Sequence, residues 1–423
     1  MKKLKVGLAG VGTVGSGVYE ILKKDGTLVS NRADCTIEVV AISARSKKDF
    51  VDANVRFYDN AVDLANDPDL DVVVEAIGGL TIAKEVVETA LKNGKKVVTA
   101  NKALLAEHGF ELSKLAEENN SYIGFESSVA AATPIVKSFK ENYAGNVINE
   151  FYGILNGTCN FILTKMKNEG LSFDVVLKEA QELGYAEADP TFDIKGIDTA
   201  HKLAILSAIS SGAKPTLKNL HIEGVDEVSI EDIQLADEMG YKIKLLAVYK
   251  NLGEETLQAV YPALVKSSDL ISQIDLAYNA VLTNTSNADW SLVVGGGAGK
   301  LPTASAIVAD LVDIACNRYS SIFGVKSDIL SEPNIVDISE RSGKYFLNLV
   351  VDKELVKGVD LAQTIFGSKV KIDKVAISDA EDSIQCGFLT GEQKETEILE
   401  IFNNFDKNLV KAAKFIRVEE TNF

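Results

Sequence analysis

Six residues near the amino terminus restrict the fold more than any other feature of this chain. Gly10-Val11-Gly12-Thr13-Val14-Gly15 follows directly on the apolar run 4–9 and opens a stretch of helical periodicity, 14–24. In that strand–turn–helix setting the glycines have separate physical roles. Gly10 permits the tight turn, Gly12 lets backbone approach a pyrophosphate, and Gly15 lets helix and strand pack closely. The uncompensated N–H groups and the dipole at a helix start favour phosphate oxygens. Gly10, Gly12, Thr13, Val14 and Gly15 are therefore candidate cofactor-binding residues. Further apolar runs at 37–43, 72–77, 95–99 and 122–125 alternate with helical patterns at 82–93 and 107–119. That alternation predicts an α/β fold, a Rossmann-type doubly wound parallel sheet over 1–130.

After residue 131 the texture changes. Strand-like runs at 149–155, 244–249, 258–264, 279–285 and 291–294 mix with helical segments at 158–169, 173–183 and 197–210. They predict an α+β catalytic and dimerisation domain over 131–330. The helix at 303–319, entered through a glycine-rich segment, is expected to pack back on the nucleotide domain and complete it over about 303–325. Apolar periodicity lapses around 332–344, read here as a linker. The succession βαββαβ beyond it, over 343–420, is the ferredoxin-like order.

Composition excludes several classes. With 423 residues, 44 Lys and Arg against 61 Asp and Glu, the formal net charge is −17, which argues against nucleic acid as a partner. Cys35, Cys159, Cys316 and Cys386 show no CxxC spacing, and with three histidines a zinc site is not expected. Scattered thiols suit a reducing compartment, and no apolar stretch is long enough for a membrane span, so a cytoplasmic protein is expected.

The strand at 37–43 ends in Ala44-Arg45-Ser46-Lys47-Lys48, without the acidic residue that binds the ribose 2′-hydroxyl of NAD. Cations there suit the 2′-phosphate of NADP, with Arg45 the first of them and NAD the alternative. The segment 184–202 packs Glu187, Asp189, Asp193 and Asp198 into twelve residues and then enters an apolar helix. Asp198 and Lys202, four apart, share a face of that helix. A lysine on a buried helix costs free energy unless paired, and burial favours the neutral amine that can take up a proton. Carboxylates nearby can hold the ammonium group of an amino acid. The same spacing also fits a plain surface ion pair.

Taken together, GVGTVG, ANKALLA (100–106), GILNGTCNFIL (153–163), GYAEADPTFDIKGIDTAHK (184–202) and GAGKLPTASAIVAD (297–310) stand in the order and spacing of homoserine dehydrogenases, and the chain resembles that family over about 1–325. The resemblance implies reversible, NAD(P)-linked oxidation of L-homoserine to L-aspartate 4-semialdehyde, a step towards threonine, methionine and isoleucine, and a homodimer or higher oligomer. It casts Lys202 as proton donor and acceptor, and Lys102 as a second catalytic lysine beside nicotinamide and substrate. Glu187 and Asp198 become ligands of homoserine, and Gly184 and Gly299 line the cofactor. It also implies a monovalent cation such as Na+ held by backbone carbonyls at Glu126, Val129, Ala131 and Thr133. There the chain departs from the family, which shows glycines before the proline, whereas this sequence reads Val129-Ala-Ala-Ala-Thr133-Pro134. Alanine enters positive φ only at a cost.

The tail resembles an ACT module, whose ligand loop would begin at Gly358-Val359, with threonine the effector the resemblance suggests. Two other readings remain open at this point. One is an acylating aspartate-semialdehyde dehydrogenase with Cys159 as nucleophile; the other is a non-catalytic nucleotide and amino-acid sensor.

Overall fold

The structure is a computed structural model that describes residues 2–352, 360–367, 370–379, 383–421 and 423. In chain order the strands used below are β1 (Lys3–Ala9), β2 (Thr36–Ser43), β3 (Arg56–Tyr58), β4 (Val72–Glu75), β5 (Lys96–Thr99), β6 (Ile123–Gly124), β7 (Ile148–Ile154), β8 (Tyr241–Asn251), β9 (Thr256–Lys266), β10 (Tyr278–Thr285), β11 (Asp289–Gly296), β12 (Tyr345–Asp352), β13 (Ile372–Asp379), β14 (Ser383–Thr390) and β15 (Val410–Glu419). Among the helices are α1 (Thr13–Lys24), α2 (Thr81–Lys92), α3 (Lys102–Glu118), α4 (Gly157–Glu169), α5 (Phe173–Glu182), α6 (Ile197–Ser211), α7 (Lys300–Ala315), α8 (Leu361–Phe366) and α9 (Glu395–Asn403).

Contacts gather the chain into two compact units. The first comprises Met1–Glu150, His201–Lys218 and Thr283–Asn334; the second comprises Phe151–Ala200, Asn219–Leu282 and Ile335–Phe423. The division falls inside β7, α6 and β10.

The first unit is the expected doubly wound sheet, all parallel, in the order β3-β2-β1-β4-β5-β6. Val6, Leu8, Val72, Val74 and Val98 are buried in its core together with Val18 of α1 and Ile307 and Leu311 of α7. Apolar runs without alternation suit strands covered on both faces. Helix α7 lies against α1 at Gly17, where a Cβ would come 2.9 Å from the Ala304 methyl and from the Lys300 carbonyl. It begins at Lys300, three residues before the expected start, because Pro302 sits in its first turn, where a missing N–H is harmless.

The second unit is built on a mixed sheet running β10-β7-β8-β9-β15-β12-β14-β13. Strands β8 and β9 form a long antiparallel pair, Tyr249 opposite Gln258, buried along almost their whole length. The last four strands follow the ferredoxin-like order, with Tyr345, Leu347, Phe366, Phe388 and Ile398 in their core. Strand β15 runs parallel to β9, Ala263 opposite Arg417, so the carboxy-terminal layer continues the sheet.

The stretch 332–344 is packed. Val336 N–H donates to the Thr256 carbonyl at 3.0 Å, and Glu395 N–H donates to the Arg341 carbonyl at 2.9 Å. Its contacts are polar, which is why hydrophobic periodicity is silent there. Residues Gly358 and Val359 lie outside the described residues.

Candidate active site

The glycine turn is built as its sequence requires. Gly10 has φ 97°, and a Cβ there would stand 2.6 Å from the Ala76 carbonyl oxygen. A Cβ on Gly15 would stand 2.0 Å from the Gly10 carbonyl oxygen, so any side chain would force α1 off the turn. At Gly12, by contrast, the same position meets no described atom within 4 Å. Gly12 is the residue that caps α1, and Thr13 beside it is exposed. The helix start is thus open at Gly12, a fit for a pyrophosphate. Gly10 N–H donates to the Ser43 carbonyl at 3.0 Å, which fixes the end of β2 beside the turn. Arg45, two residues on, is exposed, as is Lys47. Gly299, at φ 114°, starts α7 in the same unit.

Lys102 is the first residue of α3, and a chain of hydrogen bonds holds the turn before it. Asn101 caps α3 by accepting from Leu104 N–H at 3.1 Å, and its amide donates to the Gly79 carbonyl at 2.6 Å. Asn101 N–H donates to Thr99 Oγ1 at 3.0 Å, and that hydroxyl donates to Glu75 Oε2 at 2.5 Å. The other oxygen of Glu75 accepts from Ile77 and Gly78 N–H at 2.8 and 2.9 Å. Glu75 is fully buried. Apolar patterning absorbs it into its strand and gives it no role. A lone carboxylate at the carboxyl end of VVVE was the available signal.

The substrate-side residues cluster around the start of α4. Asn156 caps α4 through Cys159 N–H at 2.8 Å, and its amide bridges two acids, Asp193 at 2.8 Å and Asp198 at 2.9 Å. Asp198 is buried and opens α6; Lys202, one turn further along that helix, is also buried, 8% exposed. Gly184 at φ 76° and exposed Glu187 lie on the loop after α5. Thr158 Oγ1 fastens that loop through the Tyr185 carbonyl at 2.6 Å, and Gln181 through the Glu187 carbonyl at 3.1 Å. Glu187 and Asp198 therefore differ: one carboxylate is open to water, the other is built in. The bridging Asn156 was legible only as a polar residue between strand and helix.

In the expected cation loop Ala131 takes the backbone conformation expected of a glycine. Ala131 sits at φ 46°, ψ −106°, in a turn closed by Thr133 N–H to the Ala130 carbonyl at 2.8 Å. Gly295 leaves room for it, since a Cβ there would stand 2.7 Å from Thr133 Oγ1. That hydroxyl is buried and has no hydrogen-bond partner among the described residues. An orphaned oxygen at this loop fits a small cation. The Glu126 side chain is occupied elsewhere: its oxygens accept from Val136 N–H at 3.1 Å and Lys137 N–H at 2.7 Å, and Glu126 N–H donates to Asp310 Oδ2 at 3.0 Å. Burial, then the neighbouring Asp310, pushes Glu126 up to about 7. Burial likewise lifts Asp310 to about 6 and lowers Lys140 to about 8.

Cys159 is fully buried, with its thiol donating to the Asp193 carbonyl at 3.3 Å. It packs the start of α4. Among the described residues no helix is long and apolar enough to cross a membrane.

A parallel 3-2-1-4-5-6 sheet with an open glycine turn, together with a buried acid and a buried amine on one helix, defines a nicotinamide-dependent oxidoreductase. The family model described as homoserine dehydrogenase matches residues 134–312, and that described as homoserine dehydrogenase, NAD binding domain, matches 10–126. The chain is 39% identical to the homoserine dehydrogenase of Pseudomonas aeruginosa over 390 residues, 90% of each protein. It is 34% identical to that of Bacillus subtilis over 425 residues, 98% of each. A crystal structure of the Thiobacillus denitrificans enzyme superposes with a TM-score of 0.92 at 37% identity, over 99% of both chains. An archaeal homoserine dehydrogenase in complex with NADPH superposes with a TM-score of 0.65 at 28% identity, covering 76% of this chain and 99% of that one. This chain belongs to the homoserine dehydrogenase family.

Proposed function

We propose that the chain oxidises L-homoserine to L-aspartate 4-semialdehyde, reversibly, with NADP preferred over NAD. The observation that carries this reading is the pair of acids bridged by Asn156, of which Asp198 stands one helical turn before the buried Lys202. Glu187 and Asp198 hold the substrate ammonium group. Lys202 takes the hydroxyl proton as the carbinol C–H bond breaks, and returns it in the reverse direction. A nicotinamide, when bound, would supply the hydride acceptor; Gly10, Gly12, Thr13, Val14 and Gly15 would hold its pyrophosphate, and Gly184 and Gly299 would line the cofactor. Lys102 would act as the second catalytic lysine, and Arg45 would take the 2′-phosphate.

A monovalent cation such as Na+ would be held by backbone carbonyls of Glu126, Val129, Ala131 and Thr133; the orphaned Thr133 hydroxyl supports that fit. The enzyme works in the cytoplasm as a homodimer or higher homo-oligomer, and its four cysteines, all thiols, agree with a reducing compartment. The domain roles follow the same reading: nucleotide binding in 1–130 with 303–325, catalysis in 131–330, regulation by an amino acid such as threonine in 343–420. The ferredoxin-like strand order supports the last of these. Formation of reduced nicotinamide at 340 nm, on adding L-homoserine with NADP or with NAD, is the direct test. No signal with either cofactor sinks the reading, an equal rate with both sinks only the preference for NADP, and unchanged rates with millimolar threonine remove the effector.

A further inference from the structure

We propose that Glu75 is a positioning residue whose carboxylate latches two loops at once and thereby fixes where Lys102 stands. The inference rests on the reading of Lys102 as a lysine at the reacting centre. Glu75 ends β4, and Thr99 ends the neighbouring parallel strand β5, directly opposite it in register. Ligands of such sheets bind at the carboxyl ends of the strands. One carboxylate oxygen gathers the N–H groups of Ile77 and Gly78, which belong to the loop whose Ala76 carbonyl underlies Gly10. The other oxygen accepts a hydrogen bond from the Thr99 hydroxyl, and the same hydroxyl accepts from Asn101 N–H. Asn101 then caps α3 and ties back to the Gly79 carbonyl, closing a ring through both loops. Lys102 is the next residue along.

A fully buried carboxylate accepting three hydrogen bonds is a rigid anchor, because each lost partner leaves a polar group stranded without water. A residue anchored this way on two strand ends locates its neighbours better than a free loop does. The ring predicts a division of labour. The Thr99 arm governs the placement of Lys102 and so kcat. The Ile77–Gly78 arm governs the floor of the glycine turn and so the KM for the nucleotide.

Four variants test this, read by kcat and by KM for NADP, with circular dichroism and the thermal midpoint to follow folding. Thr99→Val keeps the shape of the side chain and removes the relay; kcat is expected to fall about 10- to 100-fold with KM for NADP within about threefold. Thr99→Ser restores the hydroxyl and is expected within about threefold of the parent in kcat. Glu75→Gln turns one of the two acceptor oxygens into an NH2 donor, so at least one arm loses its acceptor, and kcat falls or KM for NADP rises about 10-fold. Lys102→Met separates the latch from the lysine it serves. Should Lys102→Met abolish turnover while Thr99→Val leaves kcat within twofold, the latch is refuted and the role of Lys102 stands. Should Lys102→Met itself turn over normally, the reading of Lys102 fails and the latch has nothing to position. If Glu75→Gln does not fold, the two Thr99 variants decide alone.

Discussion

Ala131 is held at φ 46° and ψ −106°, where a Cβ is crowded by its own backbone, and it is buried. Such strain costs on the order of 1 to 3 kcal/mol and persists only where the surroundings impose it. Glycine at this position removes the strain but loses more entropy on folding, by roughly 0.5 to 1 kcal/mol. Ala131→Gly is therefore expected to stabilise the protein by about 1 kcal/mol, seen as a higher thermal midpoint; a lower midpoint contradicts the strain. Lys202 is a matter of chemistry. Methionine fills nearly the same buried volume without the amine, so Lys202→Met should keep its fold by circular dichroism and lose about 100- to 10,000-fold in kcat. A loss of less than tenfold would mean that another group carries the proton.

At the scale of elements, β6, α7 and the segment 126–140 share one buried charge cluster. Asp310 of α7 faces Glu126, Lys137 and Lys140, with Asp313, Glu141 and the Tyr122 hydroxyl around it. Folding raises both carboxyls, so each stabilises the fold fully only below its ordinary value. For Glu126 that contribution is lost as pH rises from 4.5 through about 7; for Asp310 it is lost from 3.8 through about 6. Stability should decline across that window. Because Asp310 helps to raise Glu126, Asp310→Asn should flatten the decline, measurable as thermal midpoint against pH. Parallel curves for parent and variant would count against the coupling. The packing of α1 on its turn invites a second test. A methyl at Gly15 would stand 2.0 Å from the Gly10 carbonyl oxygen, so Gly15→Ala should raise KM for NADP at least about tenfold, whereas Gly12→Ala, with no described atom near, should not shift the thermal midpoint. The helix and strand types were legible from their periodicity. The ends were less so: α3 begins at Lys102, five residues before the predicted start, because Asn101 caps it, and a cap is set by a hydrogen bond that apolar spacing does not register.

For the whole molecule the second unit is decided by its seam. Arg417 donates to Glu395 at 2.8 Å and to Glu223 at 2.8 Å, while Glu419 collects Arg341, Lys250 and the Tyr261 hydroxyl and is lowered to about 2 against the penalty of burial. These pairs join β9 to the ferredoxin-like layer. Removing one partner strands buried charge, so Arg417→Met should cost about 3 to 5 kcal/mol, and Glu395→Gln with Arg417→Met together should cost less than the sum of the single variants. Additive losses in thermal unfolding would show that the seam is not a coupled network. None of this was legible in the linear pattern. The acidic and basic partners are separated by as many as 194 residues, and the lapse of apolar periodicity at 332–344 reads as a linker for the same reason.

The sequence by itself determined the parallel nucleotide sheet, the glycine turn and the family, because strand burial, backbone clearance and turn geometry are local demands that restrict residue type position by position. It also determined that Asp198 and Lys202 share a helix face, which follows from spacing alone. Only the tertiary structure decided that Asn156 bridges Asp193 and Asp198, that Glu75 anchors the turn before Lys102, and that the carboxy-terminal layer extends the second unit's sheet through β15. Those arrangements depend on hydrogen bonds and charge pairs between distant segments, and a polar residue's partner is fixed by where the chain brings it rather than by the residue itself.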